Sequence, residues 1–571
     1  MEETAIESYL NWIKENGGSF KKIEFRHDME GVGCVYTTDR VEENENFATV
    51  PFKLCITEKQ ARKALPDLAS FSGRIVQTVY LLLQKHLGES SFYWPYINIL
   101  PKMIKTPLIF DDNDIRYIQN TNLESATRER KAALFLDFEK MVEHLPQEIY
   151  KDDITWEDFL WGYSVFSSRA FPYTLIDPTS TDQSEVLFPL VDALNHKPNT
   201  KITWSRNGDP ETGSLSFVAG QAHNTGDEIF NNYGPKSNEE LLLGYGFCFE
   251  YNEFDHIAIK PNFSQDPNQE TKLHILKQCQ VSSGNADPLT FYFHRSNLPE
   301  SFFQLMRVLV MNSMETEHYA ICADARLLDF VGYRNEITMI SMTLGLLKSK
   351  LHAIQSVHLE TEHIPSWQKF ALMYRAGQED VLNATIYKVE EKKRNLIQQM
   401  FQDEKEGKLA PCAPFLSIVN PSYFQDQASS IELSGQDFIT LDSVVMTPKR
   451  LLNKDAEFAA IISANFELEE EADMIMMLCL IRENANPSSP WRPFFNRVTT
   501  AAAVSQSATP SNPDKEDQAE LREMYDSMIP AFNEAYPTVF DLNVFSFESF
   551  VWADTILNNY SIENPLAIVP L

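Results

Sequence analysis

Val191-Asp192-Ala193-Leu194-Asn195-His196, and further along Phe230-Asn231-Asn232-Tyr233-Gly234 with Tyr245-Gly246-Phe247, are the stretches on which the reading of this chain turns. The first follows the apolar, strand-like run Val186–Leu190, so Asp192, Asn195 and His196 stand where the chain has just left a buried segment. Buried polar groups need hydrogen-bond partners, and a ligand can supply them. In the second stretch Tyr233 and Tyr245 each precede a glycine. Two phenols directed into one cavity would need partners in the same way. Working outward, Ser168-Arg169-Ala170-Phe171 closes a helical segment, and its arginine can bridge a carboxylate or cap the last turn against the helix dipole. Near the start, Glu30-Gly31-Val32-Gly33 lies between two strand-like segments. Two glycines one residue apart let the backbone turn tightly and approach a ligand without interference from Cβ. Each piece alone has an ordinary explanation: a β-turn, a satisfied Asn-His turn, tyrosines packed in a core.

Their order is more specific than any one of them. G-x-G, S-R-A-F, D-x-x-N-H, N-N-Y-G and G-Y-G-F in succession resemble a SET-domain protein methyltransferase. The resemblance is closest to the Rubisco large-subunit methyltransferase class, and within it to the fungal ribosomal-protein lysine methyltransferases. It runs from about residue 20 to residue 255, with fungal-like segments at Glu239–Phe247, Phe254-Asp255 and Tyr374–Gln378. No G-x-S-x-G, P-loop, H-E-x-x-H or Rossmann glycine fingerprint competes with it.

The resemblance implies S-adenosyl-L-methionine as cofactor and no metal. It assigns the cofactor to the backbone of Glu30, Gly31, Val32 and Gly33 and to the pair Asn195-His196, with Arg169 on its carboxylate and Phe247 near its adenine. Tyr233 matches the catalytic tyrosine and Tyr245 the second aromatic of a lysine channel. Asp192 corresponds to a substrate-contacting acid, and Trp204 to another channel aromatic, although the spacing there differs. Tyr173 occupies the substrate edge where the Rubisco enzymes carry a basic residue, so recognition at that edge departs from theirs. The implied fold is α+β: a SET-domain β core with a pseudoknot, a helical insertion, and a C-terminal all-α substrate-binding region.

Composition sets the outer bounds. The chain has 571 residues, 43% hydrophobic and 12% aromatic, enough for several large cores. Lys and Arg number 49 against 81 Asp and Glu, a net charge of −32. A nucleic-acid binder shows a basic footprint, so direct nucleic-acid binding is not expected, whereas a basic protein substrate is. The seven cysteines (34, 55, 248, 279, 322, 412 and 479) contain no C-x-x-C pair, which argues against a zinc knuckle or a disulfide framework. The acidic start and the brevity of the longest apolar run, Met474–Ile481, suggest neither a secretory signal nor a membrane span. A cytoplasmic monomer is expected, with the nucleus as a second compartment.

Periodicity predicts helices at Ile6–Gly17, Ser72–Leu87, Asp111–Leu145 and Trp156–Phe171, and from about 300 to 400. Strands are expected at Ile23–Phe25, Gly33–Tyr36, Phe47–Val50, Val186–Leu190, Ile202–Trp204, Leu215–Val218 and Glu228–Phe230. Pro411–Pro421 reads as a linker and Ser505–Asp517 as a mobile loop. The expected domains are a SET domain at 1–255 with its insertion at about 70–165, a helical substrate-binding domain at 256–410, and a helical extension at 411–571. Ser90–Asn98 resembles Ser488–Asn496, Thr155–Trp161 resembles Ser546–Trp552, and Phe188-Pro189-Leu190 resembles Val569-Pro570-Leu571, which makes 411–571 a candidate degenerate repeat of 55–190. Such a copy stops before any counterpart of Asp192, Asn195 or His196, so a structural or docking role is expected of it. The expected activity is transfer of a methyl group to a lysine of a translation component, foremost a large-subunit ribosomal protein. The alternatives are an elongation-factor lysine, a protein histidine, or a non-catalytic peptide-binding SET module.

Overall fold

Residues 2–27, 33–145, 154–181, 183–263, 266–321, 325–405, 445–467, 470–492, 494–496, 498–499, 515–562 and 566–569 are described by a computed structural model. Glu30, Gly31, Val32, the linker Pro411–Pro421 and residues 505–514 therefore lie outside the described residues. Two compact units are present: Met1–Ile257 with Lys350–Val381, and Ala258–Ser349 with Leu382–Leu571.

The first unit opens with helix α1 (Glu2–Glu15), whose Tyr9, Trp12 and Ile13 are buried. Short strands follow: β1 (Ser19–Phe20), β2 (Ile23–His27), β3 (Gly33–Thr37), β4 (Asn46–Pro51) and β5 (Ile56–Thr57). After a helical stretch come β6 (Ala170–Pro172), β7 (Glu185–Leu187), β8 (Ile202–Asn207) and β9 (Ser214–Ala219). They make a four-stranded antiparallel sheet in the order β1-β4-β9-β8, a β2-β3 hairpin and a ribbon in the order β5-β7-β6. Leu215, Phe217 and Ala219 alternate along β9 and share one core with Phe47, Ala48 and Val50 of β4, where a register shift between Asn46 and Ala48 lets two consecutive residues be buried.

Between β5 and β6 lies the helical insertion: α2 (Glu58–Ala64), α3 (Gly73–His86), α4 (Trp94–Ile97), α5 (Asp112–Ile115), α6 (Asn122–His144) and α7 (Trp156–Arg169). The α3 face Val76, Val79, Leu82 packs on the α7 face Phe159, Leu160, Tyr163. Gly162 permits the close approach, since a Cβ there would stand 3.0 Å from Cγ2 of Thr78. The single helix expected over Asp111–Leu145 is instead split. Asn120 takes the left-handed conformation (φ 62°), which asparagine tolerates, and Thr121 then starts α6.

Glu228–Phe230, expected as a strand, forms a two-sided crossing. Ile229 donates its N–H to the Val35 carbonyl (2.8 Å), and two residues later Asn231 donates to the Asn195 carbonyl (2.7 Å) and accepts from Lys197 (3.0 Å). His196 and Asn231 are thus paired in parallel. That pairing ties two distant sequence segments together at one point of the core.

The second unit is mainly helical. It contains the helices Gln269–Gln278, Glu300–Leu309 and Ser313–Tyr319, and shares Tyr333–Gln355 and Ser366–Lys405 with the first unit. A buried ion pair between Arg307 and Glu336 (2.6 Å) links two of them. Beyond residue 445 come Pro448–Leu452, Ala456–Asn465, Ala472–Ala485, Lys515–Ala535 and Phe547–Tyr560, then an antiparallel ribbon of Ser561–Ile562 and Ala567–Ile568. Residues 515–517, read as part of a loop, begin a helix. Among the described residues no helix is long and apolar enough to cross a membrane.

Candidate active site

Helix α8 (Asn238–Tyr245) delivers one half of the site. Ser237 caps its start, accepting the N–H of Glu240 while the Glu240 carboxylate accepts from the Ser237 N–H. The helix stops at Gly246, left-handed at φ 82°, where a Cβ would come 3.0 Å from the Lys105 carbonyl oxygen. Gly246→Ala is therefore expected to cost about 1–2 kcal/mol of backbone strain, read as a lower denaturation midpoint, and to reduce turnover by displacing Tyr245. An unchanged midpoint would contradict this reading of the turn.

Three rings stack in sequence. His196 lies on Tyr233 (centroids 4.8 Å, 11° between planes), and Tyr233 lies on Tyr245 (4.9 Å, 23°). Phe247 meets Tyr245 edge-on at 6.1 Å, and Phe249 closes the group at 5.6 Å from His196 and 5.5 Å from Phe247. The Tyr233 N–H donates to Nδ1 of His196 (3.1 Å), and the Tyr233 phenol donates to the Leu194 carbonyl (2.8 Å). Burial raises the Tyr233 phenol well above its ordinary 10.0, and burial also raises Tyr245. Both phenols therefore remain neutral donors at physiological pH.

Burial lowers the His196 imidazole from its ordinary 6.5, and its Nδ1 already accepts a hydrogen bond. The ring is neutral. Its folded pKa lies below the unfolded value, so the stability tied to the neutral ring is present above pH 6.5 and is lost as pH falls through the lower folded value. The urea midpoint should fall on acidification below pH 6.5, and His196→Gln should flatten that part of the curve. An identical acid limb in both proteins would assign it elsewhere.

The other half of the site is a buried polar cluster around Asp192. Its carboxylate accepts from the Tyr96 phenol (2.6 Å) and lies 3.7 Å from Nη1 of Arg169, which donates to the Asp192 carbonyl at 2.7 Å. Burial raises the Asp192 carboxyl, and the Arg169 charge opposes that rise. One turn earlier, Leu190 holds φ 74°, a strained value for a branched residue, and its N–H donates to the buried Tyr9 phenol (2.6 Å). Asn195 uses its amide on the Gly33 carbonyl (3.1 Å), on Cys34 Sγ (3.3 Å) and on the Glu228 carboxylate (3.0 Å). The described end of the glycine motif is thus in contact with Asn195.

Two residues expected on the substrate side are Trp204 and Tyr173. Trp204, on β8, packs its ring on Phe171 (5.2 Å) and Phe217 (5.5 Å). Tyr173 opens a 3-10 turn, its N–H held by the Ser184 carbonyl (2.9 Å). A cavity of about 480 Å3 lies between the insertion and β7, lined among others by Arg74, Gln77, Arg130, Tyr163 and Glu185. Arg74 and Glu185 are paired, and their charges act in opposite senses on the Tyr245 phenol.

Tyr96, Tyr9, Glu228 and Phe249 were not picked out from sequence as site residues. The alternation Tyr245-x-Phe247-x-Phe249 held a signal for the last, whereas nothing local marks Tyr96, which reaches Asp192 from the insertion. The segment Tyr374–Gln378 locks α8 from outside. Tyr374 donates to Glu239 (2.8 Å), Gln378 donates to the His256 carbonyl (3.0 Å), and a Cβ on Gly377 would collide with Asp255 at 2.4 Å. Asp255 in turn accepts the Asn238 N–H (2.7 Å).

The donor set suits a zwitterionic sulfonium nucleoside. Arg169, with a quarter of its side chain exposed and five N–H donors, can take a carboxylate while holding Asp192. The ring group offers flat apolar surface beside it.

The chain is similar to known protein methyltransferases. Residues 33–234 match the SET domain family model. A ribosomal lysine N-methyltransferase of Schizosaccharomyces pombe is 29% identical over 414 residues, covering 70% of this chain and 74% of its own. The human actin-histidine N-methyltransferase is 26% identical over 408 residues, covering 66% and 67%. Among solved structures, the SET domain of the Rubisco large-subunit enzyme LSMT bound to lysine and AdoHcy superposes with a TM-score of 0.58 at 19% identity, covering 69% of this chain and 93% of that one. Rubisco LSMT bound to AdoMet gives 0.58 at 18% identity, covering 71% and 97%.

Proposed function

We propose, from the premise that this chain carries a SET domain, that it is an S-adenosylmethionine-dependent protein-lysine N-methyltransferase whose substrate is a large-subunit ribosomal protein. The observation that carries the reading is the stacked His196, Tyr233 and Tyr245, with the Tyr233 phenol anchored on the Leu194 carbonyl and Arg169, at the end of α7, donating to the Asp192 carbonyl.

When bound, the cofactor supplies an electrophilic methyl group on a sulfonium. The acceptor nitrogen must then be a neutral amine, and with a lysine pKa of about 10.4 its deprotonation at pH 7 costs about 4–5 kcal/mol. The Tyr233 and Tyr245 rings disfavour the ammonium by excluding water, so the proton passes to solvent before the amine is seated. The neutral Tyr233 phenol and the Leu194 carbonyl it holds fix the geometry along which the lone pair attacks, and such positioning supplies much of the rate. Arg169 takes the cofactor carboxylate, with Tyr96 and Asp192 fixing its orientation. Asn195, His196 and the backbone at Glu30–Gly33 hold the nucleoside, and Phe247 covers its base. Asp192 and the edge at Tyr173 and Trp204 face the substrate side of this reading, with residues 256–410 as its helical docking domain.

Acidic net charge favours a lysine-rich partner, and association should weaken with added salt. A ribosomal-protein substrate fits a cytoplasmic enzyme acting as a monomer, with the nucleus as a second compartment. The similarity to actin-histidine enzymes supports one second reading, a histidine acceptor. Incubation with tritiated S-adenosylmethionine and separated large-subunit proteins, with actin alongside, distinguishes them. Label on lysine of one ribosomal protein supports the proposal. Label on an actin histidine supports the second reading, and no label on any basic protein contradicts both.

A further inference from the structure

We infer that residues 445–569 are a second copy of the insertion and ribbon at 55–188, and that this copy docks on the helical domain through the face by which the first copy docks on the SET β core. The repeated motifs are matched by hydrogen bonds, caps and strand register within each copy.

In the first copy Ile56 pairs with Leu187, and Thr57 then caps α2 by accepting the Gln60 N–H. In the second, Met446 bridges Ile568, and Thr447 caps Pro448–Leu452 by accepting the Arg450 N–H. Helix α3 and helix Ala472–Ala485 both have 14 residues, as do α7 and Phe547–Tyr560. After α3, Ser91 donates to Gln84 (2.7 Å) and accepts the Tyr93 N–H (3.1 Å). After Ala472–Ala485, Ser489 donates to Glu483 (2.6 Å) and accepts the Trp491 N–H (3.1 Å). Thr155 and Ser546 cap the second long helix of each copy through the N–H three residues on. Each of these helices leads directly into a short strand, Ala170 pairing with Leu187 and Ser561 with Ile568. A shared overall helical character would not reproduce two caps, a serine bridge and a ribbon register in the same order.

The positions that face the site have changed. The last residue of the 14-residue helix is Arg169 in the first copy and Tyr560 in the second. Gln77, which donates to the Glu185 carbonyl beside the cavity, corresponds to the fully buried Met476. Glu185 itself corresponds to Leu566. A copy built this way has no guanidinium at that helix end for a cofactor carboxylate, and it carries apolar side chains at two positions where the first copy lines a polar cavity.

The docking face has been kept and given another partner. Cys55, Val186 and Phe188 are buried in the core that contains Phe52 and Phe217 of the SET β sheet region, and Phe171 packs against it. The matching Val445, Ile562, Ala567 and Val569 are buried against Ile337 of Tyr333–Gln355 and against Ile397 and Met400 of Ser366–Lys405. The partner of the second copy is therefore this chain's own long helices.

Hydrogen exchange on the full chain tests the inference by exchanging matched positions. Ala567→Asp should accelerate exchange at least tenfold in residues 333–349 and 390–405, while peptides from 46–51 and 214–219 keep their protection. Val186→Asp, its counterpart, should do the reverse. Ile397→Ala, a milder change from the partner side, should accelerate the ribbon 561–568 as well as its own helix. Unaltered exchange in the helices for Ala567→Asp and in the ribbon for Ile397→Ala would overturn the inference. Loss of protection throughout the chain in both variants, or identical patterns for Ala567→Asp and Val186→Asp, would overturn it too.

Discussion

Tyr233→Phe is expected to lower kcat by about 100- to 1000-fold, the scale found when one positioned hydrogen-bond donor is removed from an active site. The phenol donates to the Leu194 carbonyl at 2.8 Å, and its ring is held between His196 and Tyr245. Phenylalanine keeps the ring stack and the volume but leaves that carbonyl without its donor. Affinity for S-adenosylmethionine should stay within a few-fold, because Arg169 and Asn195 are untouched. Single-turnover rates beside cofactor titration separate the two quantities. A variant that turns over normally would remove Tyr233 from the mechanism, whereas one that fails only to bind cofactor would make it a cofactor residue.

Arg169→Ala should act in the opposite compartment of the kinetics. A hydrogen bond to a charged group contributes about 1.5–3 kcal/mol, so losing the guanidinium should raise the cofactor Kd by about 10- to 100-fold. The substitution also strips Asp192 of the nearby positive charge that opposes its burial, leaving the Tyr96 phenol as its partner. Asp192 should then take up a proton more readily. At saturating cofactor much of kcat should return. Calorimetric titration reads the affinity directly, and an unchanged Kd would show that the carboxylate is held by another group.

The order of short motifs picked out residues that the fold gathers, Arg169 with Asp192 and His196 with Tyr233, Tyr245 and Phe247, because each motif is a local solution to a local constraint. Gly246 ends α8 in a left-handed turn, Ser237 caps it, and the run Val186–Leu190 leads into Asp192. What sequence could not display are contacts made across long separations. Tyr96 reaches Asp192 over 96 positions, and Tyr9 reaches the Leu190 N–H over 181. Neither tyrosine has a neighbour pattern different from that of an ordinary buried aromatic. Glu228–Phe230 misled in another way: its strand-like composition is real, but its hydrogen bonds are divided between β3 and the Asn195–Lys197 segment. The break at Asn120 was hidden because charged helix formers continue on both sides of it. Trp204 packs its ring on Phe171 and Phe217 of the sheet region, contacts that its spacing in the sequence did not display.

Acidity also acquires a more definite meaning once the site is in view. A net charge of −32 suits the capture of lysine-rich proteins that the proposed activity requires. Its contribution should appear in KM for protein substrate at low salt and fade as screening shortens the range of the field.

The most direct test of the central claim is mass spectrometry of ribosomal proteins from source cells with and without the gene, with wild type or Tyr233→Phe restored. The account predicts one or a few lysine methylations on a large-subunit protein that vanish with the gene, return with wild type and stay absent with Tyr233→Phe. An unchanged ribosomal methylation pattern, or a lost methyl group that maps to histidine, would contradict it.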